Sequence, residues 1–251
     1  MKSQLSNAES ADPAYKNLYL LGGAAAFIAI VLILIEVIGF AVCPQPGTVK
    51  DWFALFQSNP IGGLLEFWLL EIPLYGMFAL VFIAFYSALG KISPGAMAVA
   101  LTLALLGVGI FLATNNPFSM LSLSRQYAGA PTDAQRSEFL AAGQTVLAHT
   151  GQRAAGGFNL GIFLVSVAGL IVSAVMLRSA LFSRLTACAG ILANTLSLAD
   201  FLRQAVTSSS ILLLLVVLPY TLFLLIWYGL VAQRFFRLGR LNHGMNPSKL
   251  K

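Results

Sequence analysis

Histidine, cysteine and charge are all scarce in this sequence, and each shortage removes a class of function. There are two histidines, His149 and His243, and neither falls inside an apolar run. Paired-histidine haem ligation within a bundle therefore has no ligands, and an intramembrane histidine-zinc hydrolase or Ser-His protease has no base. His149 reads as a solvated helix-end residue. The two cysteines, Cys43 and Cys188, fall near opposite ends of their apolar runs, so no internal disulfide and no metal-type cluster is expected. A phosphate-cradling glycine loop followed by lysine is missing, as is HExxH. Gly107 and Gly109 form a lone GxG inside an apolar run, which is a packing feature. Ser208 to Ser210 read as a helix start. No catalytic residue, metal ligand or cofactor is assigned.

Charge is the third shortage. Only 10% of the 251 residues are charged while 58% are hydrophobic, and the mean hydropathy is +0.84, which excludes a soluble globular domain and makes the lipid bilayer the solvent. A hydrocarbon layer of about 30 Å needs roughly 20 apolar residues per helical crossing. About six such runs are present, at 18–42, 61–89, 95–114, 155–177, 185–202 and 210–233. They are continuously apolar (FIAIVLILI from Phe27, ILLLLVVL from Ile211) rather than alternating, so they read as helices and not as barrel strands. The first is too long for a signal-peptide core, and FAVC lacks the small residue a lipoprotein cleavage site needs, so it reads as a retained helix.

The expected fold class is all-α: a polytopic transmembrane helix bundle of about six spans, with an outer amphipathic helix between the third and fourth. A polar N-terminal tail covers 1–17, the membrane domain 18–235, with an extracytoplasmic segment at 115–154, and a basic cytoplasmic tail 236–251. With this topology Lys2, Lys16, Lys91, Arg178, Arg184, Arg234, Arg237, Arg240, Lys249 and Lys251 share one side. Lys50, Arg125, Arg136, Arg153 and Arg203 share the other. Positive residues stay inside, so both termini are expected in the cytoplasm, with the protein in the cell (inner) membrane. RFFRLGR from Arg234 reads as a stop-transfer flank beside anionic lipid and not as a nucleic-acid site.

In the loop CPQPGTVKDWFALFQSNP from Cys43, Trp52, Phe53 and Phe56 are expected to lie at the membrane interface. Ser93, Pro94 and Gly95 open the third span after a tight turn, making an antiparallel hairpin with the second. In the 115–154 segment Thr132-x-x-Gln135 is a capping box. Phe139, Leu140, Gly143, Val146 and Leu147 then recur at helical spacing, as in an amphipathic helix lying on the outer surface or capping the bundle. Pro73 and Pro219 are expected to kink their helices by freeing the carbonyls of Leu69 and Leu215. Gly157 and Gly161 form a GxxxG that Gly169 and Ser173 continue; it serves close helix packing, or alternatively a homo-oligomer. No internal repeat is evident, so the inverted-repeat transporter signature is lacking.

What the membrane runs do contain is acid. The stretch LLEFWLLEIPLYG from Leu64 holds two glutamates, and the first span holds Glu36. At 1.5 Å per residue, Glu36 lies about 9 Å, Glu66 about 8 Å and Glu71 about 15 Å below the outer boundary, with Asn159 and Asn194 near the same level. An intramembrane acid costs about 2.5 kcal/mol or more and normally faces a cavity or the bundle interior. No Lys or Arg lies in a span core to neutralise these acids; Arg125, Arg153 and Arg203 sit at the outer rim. Asp200 and Arg203, three apart, are expected to pair. Glu66 and Glu71 point about 140° apart on a continuous helix: either a kink at Pro73 narrows the angle and both face the cavity, or Glu66 reaches the interface and only Glu71 is buried. Glu71, with Glu36, is then expected to be a neutral acid or to hold a cationic group. The candidate cavity comprises Glu36, Glu66, Glu71, Asn115, Asn159 and Asn194, with Arg125 at its rim.

Two stretches, ATNNPFSMLSLSRQYAG from Ala113 continuing through TDAQRSEFLAAGQ, and GGFNLGIFLVSVAGLIVSAVMLRS from Gly156, carry a resemblance. With the hydropathy over 18–235 they resemble an uncharacterised family of bacterial and archaeal integral membrane proteins catalogued as a domain of unknown function. The resemblance implies a six-helix membrane protein with the segment between the third and fourth helices as a family feature, and supplies no substrate, cofactor or site residue. Three functions fit. The first is binding or transport of a small cationic or amphiphilic ligand in the outer cavity. The second is an accessory or sensory subunit whose outer segment meets a partner membrane subunit. The third is a lipid-modifying enzyme using Glu71 as acid or base with Arg125 on a phosphate.

Overall fold

The computed structural model describes residues 12–43, 45–150, 159–206 and 210–240, and all regular structure among them is helical. After a single turn at Pro13–Tyr15 come α1 (Lys16–Val42), α2 (Val49–Ser58), α3 (Pro60–Glu66), α4 (Glu71–Leu89) and α5 (Pro94–Thr114). Then follow α6 (Pro117–Gly129), α7 (Asp133–His149), α8 (Leu160–Met176), α9 (Arg184–Val206) and α10 (Ser210–Arg240). Among the described residues five segments are long and apolar enough to cross a membrane: Lys16–Gly39, Pro60–Leu89, Pro94–Gly129, Arg184–Arg203 and Leu215–Arg240. The sixth apolar helix, α8, has 17 residues, about 25 Å of rise and the short limit for a crossing. Of the residues singled out in the sequence, Arg153, Gly157, Ser208, Ser209, His243, Lys2, Lys249 and Lys251 lie outside the described residues.

The six long apolar helices form a ring in chain order. Each of α1, α4, α5, α8, α9 and α10 packs against its neighbours in that order, and α10 returns to pack against α1. Between hydrocarbon-like surfaces close packing replaces the hydrophobic effect as the driving force, so small residues mark the seams. At one seam, between α5 and α8, backbone meets backbone: a Cβ at Gly107 would stand 2.7 Å from the Gly161 carbonyl oxygen and one at Gly161 would stand 2.6 Å from that of Gly107. Gly161, Gly169 and Ser173 all face inward, against Gly107, Asn194 and Gly190. The small-residue face of α8 is therefore used inside the bundle.

The turns at 90–93 and 177–183 lie at one end of the ring, here the base. The crown is the opposite end, where α2, α3, α6 and α7 pack together. Capping chemistry sets the crown's corners. Thr48, Asn59, Asn116 and Thr132 accept from the backbone N–H of Asp51, Gly62, Ser119 and Gln135, and Pro60 and Pro117 occupy first-turn positions that need no donor.

The structure corrects three expectations here. Trp52, Phe53 and Phe56 do not lie at an interface but are buried with Phe67, Met120 and Leu147 in a second core. Their spacing places them on one face of α2, and burial from water is worth about 1.5–3 kcal/mol for each such side chain. Ser124 Oγ donates to the Phe53 carbonyl at 2.9 Å and Gln57 Nε2 to the Ser124 carbonyl at 3.2 Å, fastening α2 to α6. The segment after the third span holds two helices, α6 and α7, rather than one. The second span is broken at 67–70 instead of kinked at Pro73, because Pro73 stands in the first turn of α4, where a missing N–H costs nothing. Pro219 lies inside α10, which continues through it.

Candidate functional site

Inside the crown half of the ring is a cavity of about 550 Å³. Each helix contributes positions three, four or seven apart, the spacing that brings side chains to one face. These are Ile33, Glu36 and Val37 from α1; Glu71, Leu74, Tyr75 and Phe78 from α4; Ser197, Asp200 and Phe201 from α9; and Val217, Tyr220, Thr221 and Leu224 from α10. Asn159 and Ile162 come from the start of α8, and Gln45 to Gly47 with Trp68 form the crown-side wall. Helix α5 stands behind, its Phe111 ring stacked on Tyr75 with centroids 3.6 Å apart. Toward the base the axis is closed by aromatic rings. Phe78 stacks on Tyr228 at 5.3 Å, Phe85 on Trp227 at 5.8 Å, and Phe235 meets Phe85 at 5.3 Å and Phe182 at 5.7 Å.

Three carboxyls face this space, in two different situations. Asp200 accepts from Arg203 Nε at 2.8 Å, the i,i+3 pair expected from the sequence. Glu36 and Glu71 have no ion pair among the described residues, and Glu36 Oε1 is buried without a hydrogen-bond partner. The two residues line the same cavity from adjacent helices. Asn159 caps α8, its Oδ1 accepting from the N–H of Gly161 at 2.9 Å and of Ile162 at 3.3 Å. Its Nδ2 has no partner although the residue is only 4% exposed.

Trp68 carries the one positive φ of a non-glycine residue among the described residues, 60°, a left-handed backbone that bulky side chains avoid. It lies in the break between α3 and α4. Its carbonyl accepts from Asn115 Nδ2 at 3.1 Å, and Gln45 Nε2 donates to the Glu66 carbonyl at 3.2 Å. Two polar side chains from outside the break thus hold the crown-side wall in place.

Of the residues proposed from sequence, Glu36, Glu71 and Asn159 line the cavity and the other four do not. Glu66 ends α3, and the break that follows separates its direction from that of Glu71. Asn115 is spent on the Trp68 carbonyl. Asn194 lies below the cavity, on a smaller void; the shared level failed because α8 starts at Leu160 and not near 155, which puts Asn159 at the mouth. Arg125 is exposed on α6, a crown helix. Tyr75 and Ser197 were within reach of the sequence, since they stand four residues after Glu71 and three before Asp200. Trp68 and Gln45 had no such signal, because a left-handed tryptophan is a tertiary outcome. Among the described residues no three of His, Cys, Asp and Glu gather as a metal would require.

Residues 17–229 match the family described as Domain of unknown function (DUF4386). No curated protein and no solved structure matches the chain.

Proposed function

The chain belongs to the DUF4386 family, whose function is not defined, and on that premise we propose, from the cavity itself, a membrane protein that binds one small organic cation or cationic amphiphile. The observation that carries this reading is the Glu36 and Glu71 pair, which faces the cavity with no ion pair among the described residues to balance it. A carboxyl kept inside a bundle at a cost of about 2.5 kcal/mol or more serves a site by default. Trp68, Tyr75, Phe78 and Tyr220 supply ring faces and edges beside it, and an organic cation is drawn to both acid and ring. The volume falls within the range of about 300–1,000 Å³ common to small-ligand sites. The base carries Lys91, Arg178, Arg184, Arg237 and Arg240, all exposed. By the positive-inside rule it faces the cytoplasm of the inner membrane and the cavity opens outward.

The aromatic closure below favours a binding state over an open path. The accessory-subunit reading loses one support, because the small face of α8 is occupied within the bundle; a partner would have to use the crown. The lipid-modifying reading loses its phosphate holder, since Arg125 does not line the cavity.

Native mass spectrometry of gently extracted protein tests the reading. Wild type should carry an adduct of small-molecule mass that Glu71→Gln loses while remaining folded. An adduct kept unchanged by Glu71→Gln, or a second chain in its place, overturns it.

A further inference from the structure

Below the cavity, the seam between α8, α9 and α10 carries polar groups that cation binding does not use. On α9, Thr186, Gly190, Asn194 and Ser197 recur every three or four residues and so share a face. Ser197 lines the cavity, and its hydroxyl is 2.7 Å from that of Ser166 on α8. Ser166 and Asn194 border a second void of about 30 Å³ that shares Tyr75 and Tyr220 with the cavity wall and ends at Trp227. Asn194 Nδ2 donates to the Gly190 carbonyl at 2.7 Å.

Gly190 leaves room for two polar atoms, since a Cβ there would overlap both Ser173 Oγ and Trp227 Nε1. Both residues are sealed, at 0% and 1% exposed, and neither atom has a partner among the described residues. One turn nearer the base, the buried Thr186 hydroxyl is 2.9 Å from that of Ser183, which is exposed. The row runs from the base surface to the cavity.

Among apolar side chains, Ser166, Asn194, three tyrosines and Trp227 border this void, and at about 10–15 Å³ per water by this measure it has room for about two. Trp227 borders this void, while Ser173 lies with Gly190 just beyond its lining; both orphaned groups are costly to leave unpaired where no lipid can bond them, and water passing between them answers that cost. We propose that this seam is a hydrated proton route joining the base end to the Glu36 and Glu71 carboxyls. Each water or hydroxyl accepts a proton on its oxygen and passes its own along the next hydrogen bond. One net proton arrives on a carboxylate, making it a neutral acid, and returns the same way when an organic cation takes its place. Asn194 and Trp227 orient the waters and do not relay.

The titratable and charged groups facing the carboxyls are few. Helix α4 adds Tyr75, α9 adds Asp200 with Arg203, and α10 adds Tyr220, with Tyr228 below. Helix α8 contributes only hydroxyls and Asn159. The route rests on the cation reading for its destination alone, so the two fail separately.

The test is indole N–H exchange into D₂O, by NMR of full-length protein labelled with ¹⁵N-tryptophan in lipid nanodiscs. Trp52, also 1% exposed and in the crown core, lies off the route and reports on the fold. Trp227, whose indole nitrogen is buried, should exchange within minutes rather than hours. Asn194→Leu, or Ser166→Ala if the former does not fold, should slow Trp227 about tenfold and leave Trp52 unchanged. In proteoliposomes with the crown-side pH held, the carboxyl infrared band should follow a pH jump on the base side in wild type, lag in the same variants and vanish in Glu36→Gln/Glu71→Gln. Trp227 exchanging only over hours, or a carboxyl response unaltered by both seam variants, overturns the route. Tetraphenylphosphonium retention in the same nanodiscs reports separately on the cation site.

Discussion

The side-chain amide of Asn115, at the end of α5, donates to the Trp68 carbonyl oxygen at 3.1 Å and holds a tryptophan whose φ is 60°. Such a backbone costs about 1–3 kcal/mol and persists only where its surroundings enforce it. Asn115 is 2% exposed, so removing its amide leaves a polar gap as well. Asn115→Ala is expected to lower unfolding stability by about 1–3 kcal/mol and to shift Trp68 fluorescence as the break relaxes. Unchanged emission, read against Trp68→Phe, would show that Asn115 does not hold this wall.

Gly107 and Gly109 are two residues apart on α5 yet face different surroundings. Gly107→Ala drives a methyl onto the Gly161 carbonyl and should cost about 1–3 kcal/mol by overpacking. Gly109 has nothing within 4 Å of a Cβ, so Gly109→Ala should be neutral or stabilise by about 0.5–1 kcal/mol through helix propensity. Thermal unfolding of both variants in one detergent decides. Equal effects would place the α5 to α8 contact elsewhere.

At the base, Lys91 Nζ donates to Asp12 Oδ2 at 2.8 Å and ties the chain entering α1 to the turn after α4. That hydrogen bond, aided by the Ala14 N–H, holds the Asp12 carboxyl below its ordinary value of 3.8, and the same contact raises Lys91 above 10.5. The carboxylate's contribution is complete above 3.8 and fades as pH falls through its lowered value; the ammonium's is complete below 10.5 and fades as pH rises through its raised value. Spin labels at Ala14 and Ser93 should therefore keep one distance between these limits and separate only beyond them. The pair is solvated, so Asp12→Asn should release the labels at neutral pH without moving the melting temperature. Separation at neutral pH in wild type would contradict the tether.

The apolar runs made the spans legible, with boundaries such as 61–89 against the observed Pro60–Leu89. The Thr132 cap was legible too, because a side chain three residues from its partner is a local event. What stayed hidden was tertiary. Trp52, Phe53 and Phe56 suit a membrane interface and a buried core equally well, and only the presence of α6 and α7 decides between them. Glu36 and Glu71 were readable because acid is expensive in hydrocarbon. Asn115 and Asn194 carry no such penalty, and their partners, the Trp68 and Gly190 carbonyls, leave no mark in the sequence.

The central claim is that charge, and not merely apolar volume, decides what the cavity holds. Equilibrium retention of tetraphenylphosphonium should be compared with that of the neutral triphenylphosphine oxide, in zwitterionic nanodiscs with empty discs subtracted. Wild type and Glu66→Gln, whose side chain does not line the cavity, should prefer the cation about tenfold, or about 1.4 kcal/mol. The Glu36→Gln/Glu71→Gln protein should lose that preference while staying folded. Equal retention of the two probes by wild type, or a preference that survives in the double variant, would contradict the account.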